Sequence, residues 1–116
     1  MRNLRNLGTV EVLLGLNKEI RETIEKINGI IVLSTEIFDQ EELLEKLEES
    51  QENLSRFEKI TKDNNNPCIS DAELVNSYSD YLTYITNYYL ALNGDMLKRS
   101  IKEEEWLWLW LLFHHL

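Results

Sequence analysis

Phe38-Asp39-Gln40-Glu41-Glu42-Leu43 and Ile69-Ser70-Asp71-Ala72-Glu73-Leu74 are two copies of one helix-start device. Asp39 and Ser70 suit the N-cap, where a short side-chain oxygen accepts from an otherwise unpaired backbone N–H. Glu42 and Glu73, three residues on, can reach back to the cap's own N–H. Phe38 with Leu43, and Ile69 with Leu74, make a hydrophobic staple across each start. A four-part pattern that occurs twice marks two helices.

Working outward from these starts, apolar residues recur every three or four positions. After Asp39 the stripe runs Leu43, Leu47, Ser50, Leu54, Phe57 and Thr61, with Leu44 and Ile60 alongside and Ser50 as its weak point. After Ser70 it runs Leu74, Tyr78, Tyr81, Ile85, Tyr88 and Leu92. Upstream, Leu13, Leu16, Ile20, Ile24, Ile27 and Ile31 hold the same spacing, which places them on one helical face. Lys62-Asp63-Asn64-Asn65-Asn66-Pro67 reads as a loop, because a proline biases the residue before it away from helical geometry. Asn93-Gly94 reads as a left-handed C-cap, with Asp95 starting a fourth segment. Helices are therefore predicted at about 9–34, 39–62, 70–93 and 95–113.

Amphipathic helices of this length must bury their stripes against one another. The predicted fold is all-α, a single helical domain over 1–116. Its form is an antiparallel three-helix bundle with a short fourth C-terminal helix and coiled-coil-like seams. The alternative is a helical hairpin that dimerises into a four-helix bundle. Four glycines and one proline in 116 residues argue against a turn-rich β fold, and one cysteine cannot form an internal disulfide.

The net charge of −9 is unevenly spread. Residues 39–63 hold nine acids and four bases, and residues 64–95 hold four acids and no base. No basic stripe exists to release counterions from a phosphate backbone, so direct nucleic-acid binding is not expected. Glu11 interrupts the apolar run at 10–16, so no signal peptide is expected, and a cytoplasmic location is.

Two stretches invite contact with a partner. On the predicted third helix the outward positions hold Asn76, Ser77, Ser79, Thr83, Thr86 and Asn87, and all five tyrosines fall between 78 and 89. Tyr78, Tyr81 and Tyr88 lie on the stripe and belong to the core. Tyr84 falls on the polar face between Ser77, Asp80 and Thr83. Depletion of charge with enrichment of tyrosine is typical of interface cores. The second stretch is 106–116, which contains every tryptophan and every histidine. Trp106, Trp108 and Trp110 there must meet core, partner or membrane. Glu103-Glu104-Glu105 beside them opposes anionic headgroups, which disfavours the membrane. The abrupt change of composition would also suit an aberrant terminus, ranked behind packing into the bundle or a partner groove.

No catalytic set assembles from these residues. His114 and His115 are adjacent and diverge by about 100° on a helix. No Glu-x-x-His pair suggests a metal site within a bundle. Glu41, Glu45, Glu48 and Glu52 line one face of a helix and read as a solvated surface. Cys68, isolated in a loop, lacks a nearby histidine. No cofactor and no enzymatic activity are expected. The expected function is a helical interaction protein, a small subunit or adaptor, binding a protein partner or itself through Ser77, Asp80, Tyr84 and Asn87 and through Trp106, Trp108 and Trp110. Alternatives are a peripheral membrane or immunity-type protein anchored by the aromatic tail, and an acidic inhibitor that mimics nucleic acid through Glu41 to Glu52.

Overall fold

A computed structural model describes residues 5–100 and 103–115. Its elements are α1 (Leu7–Leu33), α2 (Gln40–Asp63), α3 (Asp71–Ser100) and α4 (Glu103–His115), with no strand among the described residues. Helices α1, α2 and α3 pack against one another as a three-helix bundle, and α4 is the short C-terminal helix.

The forward half of the start device forms twice. The Glu42 N–H donates to Asp39 Oδ1 at 2.7 Å, and the Glu73 N–H donates to Ser70 Oγ at 3.2 Å. In α2 the return half gives way, because the Glu42 carboxylate pairs instead with Arg99 from the far end of α3. That pair, with Tyr88 reaching Glu49 and Tyr81 reaching Asn53, shows α2 running antiparallel to α3. Arg5 meets Asp71 at one end of the α1–α3 pair, and Lys26 lies over the Tyr89 ring farther along, so α1 and α3 run in the same direction. The path is up, down, up.

The core is chiefly an α1–α3 contact. Leu13, Ile20, Ile24, Ile27 and Ile31 from α1 meet Leu74, Tyr78, Tyr81, Ile85, Leu92 and Met96 from α3, with Phe38 and Phe57 closing the third side. Helix α2 follows its predicted stripe in part, with Ser50 and Phe57 buried and Leu43 and Ile60 packed against the core. Its buried residues are Ser50, Asn53 and Phe57, while Leu47 and Leu54 remain about two-fifths exposed. Phenol hydroxyls from α3 bond to this helix. The Tyr81 hydroxyl donates to the Asn53 carbonyl at 2.8 Å, and the Tyr88 hydroxyl donates to Glu49 Oε2 at 2.6 Å. An unpaired buried hydroxyl costs about 1–3 kcal/mol. Leaving two-fifths of a leucine in water costs roughly 1 kcal/mol, a loss that the Tyr81 and Tyr88 hydrogen bonds offset. Ser50 fits there because it is small and its hydroxyl donates to Asn28 Oδ1 on α1.

The predicted break at Asn93-Gly94 is corrected: α3 runs through it to Ser100, and no described glycine has positive φ. The apolar face continues from Leu92 to Met96, both buried. Arg99 then holds the last turn through Glu42, Asp95 at 3.3 Å and the Phe38 ring at 5.4 Å. The fourth helix starts at Glu103, not Asp95. A Cβ on Gly94 would meet nothing within 4 Å. Gly94→Ala should therefore stabilise the bundle by about 0.5–1 kcal/mol in urea unfolding. A left-handed cap at this position would instead make alanine destabilising.

Arg5 fastens the α2–α3 loop. Its guanidinium donates to the Ile69 and Asn66 carbonyls and pairs with Asp71 at 3.0 Å, holding the Asp71 carboxyl below its usual range.

Candidate interaction surface

Ser77, Asp80 and Tyr84 recur at three- and four-residue intervals on α3, so a regular helix places them along one line. The antiparallel course of α2 brings Arg56, Lys59, Ile60 and Asp63 opposite them. Together with Tyr81 these residues line a groove of about 480 Å³ between α2 and α3. Tyr84 forms part of its wall and is 45% exposed. The Arg56 guanidinium lies 5.5 Å from the Tyr84 ring centroid, within cation–π range. The Tyr81 ring lies 6.0 Å from that of Tyr84 on the buried side, where it also stacks on Phe57 at 6.3 Å.

The groove's charges are mixed. Arg56 and Lys59 answer Asp63 and Asp80, so its electrostatics favour a partner segment with both signs rather than a polyanion. Burial pushes the Tyr81 phenol up to about 12, with Tyr84 raising it further and Arg56 opposing. Tyr88 is pushed up as well, first by burial and then by its hydrogen bond to Glu49. These phenols stay neutral at physiological pH and act as hydrogen-bonding core groups. Asn87 is exposed on the same helix one turn beyond Tyr84 but does not line the groove.

The aromatic tail is separate. Among the described residues, α4 makes no packing contact with α1, α2 or α3. Trp108 and Trp110 are 66% and 55% exposed, and Leu107, Leu109, Leu111, Leu112 and Phe113 are exposed beside them. The Trp106 side chain lies outside the described residues. Within α4, the His114 ring stacks on Trp110 at 4.2 Å, and His114 Nδ1 sits 3.0 Å from the Trp110 carbonyl that accepts from it. Thus Ser77, Asp80 and Tyr84 come together, while Trp108 and Trp110 form a second surface.

The α2 wall was missed by sequence reasoning. Arg56, Lys59 or Ile60, and Asp63 do recur at helical spacing, but the acidic excess of residues 39–63 conceals two bases on one face. Among the described residues, no three His, Cys, Asp or Glu side chains cluster as metal ligands would, and no helix is long and apolar enough to cross a membrane. No family model, curated protein or solved structure matches this chain.

Proposed function

We propose that this chain is a non-enzymatic helical interaction protein, a small subunit or adaptor whose three-helix bundle presents two contact surfaces. One is the α2/α3 groove around Tyr84, and the other is α4. The observation that carries this reading is the uninterrupted run of exposed apolar side chains at 107–113 on a helix that, among the described residues, packs on none of the other three. A patch of that size in water marks a surface awaiting a partner. The groove adds a half-exposed tyrosine beside an arginine, two residue types enriched at binding hot spots.

The test is affinity capture with mass-spectrometric identification, comparing the native chain with Tyr84→Ala and Trp108→Ala. A specific protein retained by the native chain and lost by either variant is the expected result. Identical recoveries from all three chains contradict the proposal. The exposed indoles of Trp108 and Trp110 also favour a second reading, a peripheral membrane protein anchored by α4. Under that reading, phosphatidylcholine vesicles sediment the native chain and leave Trp108→Glu in solution.

A further inference from the structure

Helix α4 has an unusual distribution of side chains. It opens with Glu103-Glu104-Glu105, continues with eight apolar residues at 106–113, and closes with His114-His115. Eight residues make more than two helical turns, so apolar side chains point in every direction around the axis. A helix apolar all round is stabilised wherever another surface covers part of it. Among the described residues, its own bundle does not cover it.

The exposed area fits an oligomer interface. At about 150–250 Å² for a whole aromatic side chain, the exposed parts of Trp108, Trp110 and Phe113 present roughly 400 Å². With Leu107, Leu109, Leu111 and Leu112 the total around the helix is on the order of 800 Å²; the half that faces one partner helix, about 400 Å² a side, is the size of a weak, concentration-dependent interface. The ends of the helix supply a direction. A parallel pair would set three glutamates beside three glutamates. An antiparallel pair sets the acidic start of each helix beside the histidine end of the other, and opposes the two helix dipoles.

We propose that the occupant of this surface is α4 of a second copy of this chain, paired antiparallel. The inference rests on the reading of α4 as a binding surface and names its partner. Apolar contacts along residues 106–113 supply the association free energy, and the Glu and His ends select the orientation. The bundles hang outside the pair with their α2/α3 grooves unoccupied.

Every tryptophan lies in α4, so tryptophan emission reports on this helix alone. Sedimentation equilibrium of the full chain should show a mass above 13.8 kDa that rises with concentration, together with a blue shift of tryptophan emission. Trp108→Glu with Trp110→Glu places two charges in the contact and should weaken association at least tenfold. Unchanged far-ultraviolet circular dichroism will confirm that the variant's bundle is folded. For orientation, chains carrying Cys68→Ser and either Glu105→Cys or Phe113→Cys are mixed and oxidised. Antiparallel pairing gives the mixed 105–113 disulfide in excess over 105–105. Three results would overturn the proposal: a 13.8 kDa monomer at every concentration, an excess of 105–105 disulfide, or an emission shift produced only by added phosphatidylcholine vesicles. Capture of a partner through Tyr84 stands or falls independently of all three.

Discussion

Ile85→Ala is expected to lower the unfolding free energy by about 3 kcal/mol and the melting temperature by on the order of 12 °C. Ile85 is fully buried on α3 at the centre of the core, opposite the isoleucines of α1. Alanine there forfeits the transfer free energy of three carbons and leaves a cavity that rigid neighbouring helices close only in part. Native stability of 5–15 kcal/mol makes this a large fraction of the total. The urea midpoint should fall with little change in slope, since the surface exposed on unfolding stays nearly the same. Leu90→Ala on the same helix is the control. Leu90 is 58% exposed, and its truncation should cost no more than about 0.5 kcal/mol. Equal losses at the two positions would mean that α3 buries a different face.

Alkaline pH should produce the second large effect. Tyr81 is raised from its ordinary 10 to about 12, first by burial. Tyr78 is also raised by burial, and Tyr88 by burial and the adjacent Glu49. A raised phenol favours the fold in its neutral form. Its stabilising effect is complete below pH 10 and is lost as pH rises through the folded value. At about 1.4 kcal/mol per unit, Tyr81 alone withdraws about 2–3 kcal/mol between pH 10 and 12. Tyr81→Phe removes the hydroxyl's bond to the Asn53 carbonyl, costing about 1 kcal/mol at neutral pH. The variant should then lose stability less steeply above pH 10. Identical slopes for the two chains, read from urea unfolding at each pH, would contradict the burial of Tyr81.

These effects trace back to features of unequal visibility in the sequence. The starts at Asp39 and Ser70 were legible because capping is local, depending on residues within five positions. The α1 and α3 faces were legible because long apolar stripes allow one inward orientation. Helix α2 was legible only in part, because its inward face also serves the hydrogen bonds of Tyr81 and Tyr88, which lie on another helix. The continuation through Asn93-Gly94 was obscured for the same reason: Met96 packing and the Arg99–Glu42 pair override a local stop signal. The line Ser77, Asp80 and Tyr84 could be read from spacing along α3. Its opposite wall at Arg56, Lys59 and Asp63 depends on the register between two helices, which local pattern does not encode.

That the bundle stands without α4, leaving α4 for association, is tested most directly by ending the chain at Ser100. Equilibrium urea unfolding of the full and shortened chains, followed by circular dichroism at low protein concentration, compares their stabilities. The shortened chain should unfold within about 0.5 kcal/mol of the full one, as expected when α4, among the described residues, packs on none of the other helices. A loss of several kcal/mol would show that α4 packs into the bundle, and its aromatic face would then be core rather than a binding surface.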